Sequence, residues 1–325
     1  MSAPRLLRRR VLAVALAAAV LLVFGWAMAP VFAAEPKPAA PPFADESAAH
    51  ALYNQMIDAM RKATSLSYVS RYQFEARGKV LMSCTYRAWL KKPNYFRIET
   101  EKPTKGKGGT LIGDGNTLWI YWPEGRPQFS YGFEYDEPKA DRETRNTSYM
   151  KKPAPPGGHS IGHETGILGA GMSMPVIDPS TFHGYTDSLQ AYLDGVKGLP
   201  AEKVGTEDCD KIEVSIMKGQ RSRYLWLSKR DHLPRKLREV VRVSYDLVIE
   251  EQWSSVTLNG DMPDTLFAWK PPEGWKEWRL PRPEERLLKP GTQAPDFDLA
   301  SAEGKRIKLS GYRGQVVWFY IWRAG

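Results

Sequence analysis

Two runs decide how this chain folds: Ala88-Trp89-Leu90-Lys91-Lys92-Pro93-Asn94-Tyr95-Phe96-Arg97-Ile98-Glu99 and, after a Lys/Gly-rich stretch, Gly113-Asp114-Gly115-Asn116-Thr117-Leu118-Trp119-Ile120-Tyr121-Trp122-Pro123. Short apolar segments alternate with Lys-Pro-Asn and Gly-Asp-Gly-Asn. Proline removes a ladder donor, and Asn and Gly accept the left-handed backbone of tight turns. The reading is a meander of antiparallel strands.

Upstream, Val80, Met82, Cys84, Tyr86, Ala88 and Leu90 alternate onto one face of a strand, while Leu81, Ser83, Thr85, Arg87 and Trp89 give the other face a mixed character. One apolar and one mixed face suit a curved sheet that shelters something on its concave side. Which face is concave is not set by the alternation. Ser65 to Arg77 reads as a strand that turns at Gly78. Before it, Ala49, Leu52, Tyr53, Met56, Ile57 and Met60 recur at helical spacing, with Asp45 as the expected N-cap.

The first residues read as an export leader. Arg5, Arg8, Arg9 and Arg10 form a basic n-region, Val11 to Phe24 is apolar, and Val31-Phe32-Ala33 offers a cleavage site. The expected organisation is 1–33 leader, 34–44 Pro/Ala-rich linker, 45–282 ligand-binding domain and 283–325 a further segment. An uncleaved leader anchoring the chain in the inner membrane is the alternative. The net charge is +9, of which four charges are leader arginines, leaving +5. Basic residues are dispersed, and no nucleic-acid module is recognisable.

Downstream, 123–199 is irregular. Gly166-Ile167-Leu168-Gly169-Ala170-Gly171-Met172-Ser173-Met174-Pro175 is small, apolar and Met-containing, which suits a pliable cover over an apolar site. Phe182 to Val196 reads as a short helix. Strands resume over 211–259. His159, His163 and Glu164 have the types of metal ligands, but their loop is Gly-rich and supplies no third strong ligand, so no metal is assigned. The chain has two cysteines, Cys84 and Cys209. An oxidising compartment would permit a disulfide between them. Neither belongs to a C-x-x-C pair. Serine-nucleophile, phosphate-loop and dinucleotide fingerprints are missing, and no catalytic residue or cofactor is assigned.

The pattern W-x-K-K-P-N-x-F, then D-G-x-T-L-W-x-Y-x-P, then Phe267-Ala268-Trp269-Lys270-Pro271-Pro272-Glu273-Gly274, resembles the periplasmic lipoprotein carrier LolA and its relatives. The resemblance implies a mainly β, α+β fold: a strongly curved antiparallel sheet or half-barrel with an N-terminal helix and lid helices or loops. It also implies a periplasmic protein that binds apolar lipid or lipoprotein acyl chains, with envelope proteins as further partners. Met82, Tyr86, Trp89, Phe96, Ile98, Leu118 and Ile120 are the expected lining. In the carrier an arginine precedes Pro-Asn and is tied to lid control; here that position is Lys92, which keeps the charge and loses the planar fork. Relatives that sense envelope stress share the domain.

From Gly291 the chain resembles the opening of a redoxin domain. Gly291-Thr292-Gln293-Ala294-Pro295-Asp296-Phe297-Asp298-Leu299 is followed by Tyr312-Arg313-Gly314-Gln315-Val316-Val317, with an expected strand at Val316–Ile321. The reactive cysteine of that family would fall beyond Trp322. A thiol-disulfide oxidoreductase or peroxiredoxin activity is therefore expected only of a gene product that continues past Gly325.

Overall fold

The computed structural model describes residues 43–101, 103, 107–127, 139–186, 189–279, 288–301 and 303–318. The expected leader and most of the linker lie outside the described residues. Among those described, no helix is long and apolar enough to cross a membrane.

One helix, α1 (Ser47–Lys62), precedes a run of strands: β1 (Ser65–Ala76), β2 (Lys79–Lys91), β3 (Tyr95–Glu101), β4 (Thr110–Asp114) and β5 (Thr117–Tyr121). After a short helix α2 (Lys139–Glu143) come β6 (Ser148–Pro153), α3 (Ile161–Thr165) and α4 (Ser180–His183). Five long strands follow: β7 (Leu193–Val204), β8 (Glu207–Ile216), β9 (Arg221–Ser228), β10 (Pro234–Arg242) and β11 (Asp246–Leu258). With β12 (Lys276–Glu277) they form one twelve-stranded sheet in the order β12-β6-β5-β4-β3-β2-β1-β11-β10-β9-β8-β7. Every pairing is antiparallel except β12 with β6. The sheet is curved and open, and its two meanders meet where β1 pairs with β11.

The turn chemistry explains the meander. At Gly-Asp-Gly-Asn the Asp114 carboxylate accepts from Asn116 N (3.1 Å), Thr117 N (2.8 Å) and Trp119 Nε1 (3.0 Å), with Gly115 at φ 97°. Asn94 Nδ2 donates to Gly115 O (3.0 Å) and Pro155 O (2.5 Å), tying the Lys-Pro-Asn turn to the next hairpin. Gly113 is required for packing: a Cβ there would lie 2.1 Å from the Phe96 ring. The Phe-x-Trp-x-Pro-Pro motif staples the segment after β11 to the outer face of the sheet. Trp269 stacks on Tyr121 at 4.5 Å and meets Trp119, Tyr149 and Trp275.

The other face carries the core. Alternation along β2, β3 and β5 buries Cys84, Tyr86, Ala88, Leu90, Phe96, Ile98, Leu118 and Ile120 on one side. Against it pack Ala49, Tyr53, Met56, Ile57 and Met60 of α1, the helical stripe expected from spacing.

Four expectations are corrected. Asp45 does not cap α1; its carboxylate accepts from Val196 N (2.9 Å) and pairs with His50, sewing the helix start to β7. Leu193–Val204 is a strand, not the end of a helix, because β8 offers it a full antiparallel partner. Cys84 and Cys209 are both free, lying on β2 and β8 with β1, β11, β10 and β9 between them. At about 4.8 Å per strand step that separation exceeds disulfide reach several-fold. Near the chain end, β13 (Asp298–Ala300) and β14 (Arg306–Lys308) form a small hairpin, but Val316 to Trp318 form no strand and Val316 and Trp318 stand exposed. A strand needs a ladder partner, and those three residues have none among the described residues. Residues 319–321 of that expected strand lie outside the described set.

Candidate functional site

The buried face of β2, β1 and β11 forms the centre of the floor. In register, Tyr86 faces Ser70 and Ser70 faces Trp253; Cys84 faces Tyr72 and Tyr72 faces Glu251; Met82 faces Phe74 and Phe74 faces Ile249. The floor extends through Phe96, Ile98, Leu111, Leu118 and Ile120.

Among the described residues no second sheet closes this face. The residues 161–183 lie over it, contributing Ile161, Leu168, Ala170, Met172, Val176, Ile177 and Phe182 to the same apolar cluster. The Gly-rich stretch expected to be a cover is part of this segment. Its polar ties to the sheet include Lys152 Nζ of β6 donating to Glu164 Oε2 (2.7 Å), Trp122 Nε1 donating to Leu168 O (2.8 Å), Ser173 N donating to Tyr72 Oη (3.2 Å), and Val176 N donating to Glu251 Oε1 (2.6 Å).

Glu251 is the unexpected member. It is 1% exposed on an otherwise apolar floor and, among the described residues, has no cationic partner. Besides Val176 N it accepts from Ser70 Oγ (3.0 Å), Trp253 Nε1 (3.2 Å) and, in a short contact, Tyr86 Oη. Burial pushes its carboxyl above the usual range; the hydrogen bonds oppose that shift without cancelling it. Its neighbours follow. Tyr72 is pushed up by burial, and the Cys84 thiol is pushed up to about 12 by burial and by Glu251. Tyr68 stacks on Trp253 at 3.8 Å.

At one end of the floor, Lys92 Nζ donates to Arg61 O in the last turn of α1 and lies 5.2 Å from the Phe182 ring centre. Burial lowers the Lys92 pKa. His183 Nδ1 lies 3.2 Å from Pro93 O, which fixes the neutral ring as an Nδ1–H donor. Burial pushes His183 down to about 4, and the nearby Lys92 charge adds to that. Tyr185 Oη also donates to Pro93 O (3.1 Å). Asn94 Oδ1, Thr181 Oγ1 and His183 Nε2 are buried here with no hydrogen-bond partner among the described residues.

The expected lining residues therefore divide. Tyr86, Phe96, Ile98, Leu118 and Ile120 lie together on the covered floor, and Met82 is partly buried at its margin. Trp89 is corrected: it alternates with Ala88 and Leu90 and faces the opposite side of the sheet. Lys92 sits at the junction of α1 and α4. His159 and His163 pack ring on ring at 4.3 Å, but Glu164 turns away to pair with Lys152 at 2.7 Å, and no metal-ligand group of three or more occurs among the described residues.

No family model matches the chain, and no curated protein matches it. Solved structures do. One is a LolA superfamily protein from Nitrosomonas europaea, at 12% identity and TM-score 0.33, covering 68% of this chain and 97% of that one. Another is the Pseudomonas aeruginosa MucA/MucB complex, at 14% and 0.34, covering 81% and 75%. LprF from Mycobacterium bovis gives 10% and 0.37, covering 68% and 97%. At such identities and TM-scores no residue role passes from those chains to this one.

Glu251 and His183 were not singled out by the sequence reading. For Glu251 a signal existed: it occupies the inward position between Ile249 and Trp253 on an alternating strand. For His183 there was none, because its burial depends on a loop turning back over Pro93.

Proposed function

We propose that this chain is an exported envelope protein whose covered sheet face takes up the acyl chains of a lipid or lipoprotein. The observation that carries the reading is the closure. An apolar floor is sealed by one peptide segment, 161–183, through an ion pair at its start (Glu164–Lys152), a few hydrogen bonds and apolar contacts. When that segment withdraws, an acyl chain replaces Leu168, Met172, Val176 and Phe182 against Tyr86, Phe96, Ile98, Leu118 and Ile120. Apolar surface then exchanges for apolar surface, so the roughly 25 cal/mol per Å² of burial nearly cancels and uptake is reversible. The end of the segment is less well satisfied: Thr181 Oγ1 and His183 Nε2 have no hydrogen-bond partner among the described residues, and an unsatisfied buried polar group costs about 1–3 kcal/mol.

The motif resemblance to LolA-like proteins supports the same reading. Lys92, holding α1 and facing Phe182, stands where the carrier has its lid-controlling arginine. A redoxin role for the tail would need a thiol beyond Cys84 and Cys209, which both belong to the sheet.

The experiment is uptake of a lysophospholipid by the purified protein, followed by native mass spectrometry. A one-to-one complex is expected, weakened by Phe96→Ala and unchanged by Trp89→Ala. Absence of any complex refutes the proposal.

A further inference from the structure

Glu251 presents a problem that an acyl shelter alone does not explain. A leucine or methionine at that position would pack on the floor without taking a carboxyl group out of water. The carboxyl is instead tied on both oxygens. Oε2 accepts from Ser70, Tyr86 and Trp253, all fixed parts of the sheet, whereas Oε1 accepts from Val176 N, which belongs to the cover. Trp253 Nε1–H and Val176 N–H can only donate, so each oxygen serves as an acceptor.

Withdrawal of the cover removes the donor on Oε1 and leaves the other three in place. A buried acceptor without its donor is costly, more so for a charged group. An all-hydrocarbon ligand would leave that cost unmet. A free fatty acid, ionised near neutral pH, would bring a carboxylate that offers only acceptors and supplies no donor to Oε1.

We infer that the floor selects acyl amphiphiles carrying a neutral hydrogen-bond donor beside the chain, a hydroxyl or an amide N–H, which takes the place of Val176 N–H on Glu251 Oε1. This rests on the acyl-shelter reading and narrows its ligand class. The acyl chain then runs over Tyr86, Phe96 and Ile98, with the donor over the Tyr72–Glu251 row of β1 and β11. Cover release and ligand recognition share one oxygen atom, so a ligand that supplies no donor cannot hold the cover open as cheaply.

The test uses two probes of equal chain length, 1-monododecanoylglycerol and dodecanoate, titrated near neutral pH into the full chain while tryptophan emission is followed. The glyceride should bind about tenfold more tightly, as expected for one donor restored to a buried acceptor. Glu251→Gln should reduce that preference to within about threefold. Hydrogen exchange on the unaltered protein gives a reading that does not depend on the variant folding. The Val176 amide should lose protection when the glyceride binds. Equal affinity for the two probes, or a Val176 amide still protected in the loaded protein, overturns the inference while leaving acyl binding intact. Binding of neither probe, and of no lysophospholipid, removes the acyl-shelter reading and this inference with it.

Discussion

Acidification should loosen the cover through His183. In the closed protein its ring is neutral and buried between Pro93 O, Phe182 and Tyr185, with the Lys92 ammonium nearby, and its pKa is pushed from 6.5 down to about 4. A base with a depressed pKa binds fewer protons in the closed form than in the open form. The closed form therefore has its full stability above the ordinary pKa of 6.5, loses it as pH falls, and levels off below about 4. At about 1.4 kcal/mol per unit, that shift corresponds to roughly 3 kcal/mol of closing free energy across the window. Exchange of the 176–185 amides, corrected for intrinsic rates, should accelerate by about two orders of magnitude if the whole shift is expressed. Asp45, Asp114 and Glu207 are held below their ordinary values, so their contribution is lost only at lower pH. Glu251, shifted upward, has the opposite sign: its contribution is lost as pH rises through its folded value. The control is His183→Asn, whose amide can still donate to Pro93 O and cannot titrate. It should flatten the difference between neutral pH and about pH 4. An acid response of the same size in His183→Asn would refute the reasoning.

Gly113→Ala should destabilise the domain by about 1–3 kcal/mol, read as a lower urea midpoint with unchanged slope, since its Cβ would press into the Phe96 ring. Native protein should resist a disulfide reagent at both cysteines, because Cys84 is pushed up to about 12 and Cys209 is 1% exposed. Two thiols should appear on denaturation without reductant, and disulfide-reductase and peroxidase assays on this chain should read blank; one thiol pair missing from the count would indicate a bridge.

The meander was legible because its signals are local. Asp114-Gly115-Asn116 closes a hairpin through one side chain. The helix stripe from Ala49 to Met60 was legible for the same reason. β7 was not. Its Gly195, Gly198 and Pro200 interrupt any alternation, and as an edge strand it is mostly exposed, so no burial pattern marks it. Trp89 was misplaced although the alternation that placed Tyr86, Ala88 and Leu90 excluded it from their face. Glu251 was passed over because an acidic residue in a strand ordinarily reads as facing solvent. Its burial comes from residue 176, which is 75 positions away and reaches it only through the cover.

That long-range tie bears on how such a site can be both selective and reversible. Exchange of the cover's Leu168, Met172 and Phe182 for an acyl chain supplies little net free energy in either direction, because both occupants are apolar. Discrimination must then come from the groups for which the two occupants differ. On the floor these are the acceptor at Glu251 and, at the end, the neutral ring of His183 beside the Lys92 charge. Glu251 is buried and accepts from the cover at Val176 N, His183 is half-buried at the end of the cover and bonded to Pro93 O, and breaking either tie without replacement carries a cost. The carboxyl group favours a ligand with a donor, and the imidazole favours release of the cover in acid. In the proposed function the apolar floor sets capacity for chains in general, whereas these two polar residues determine which chains enter and when the cover moves.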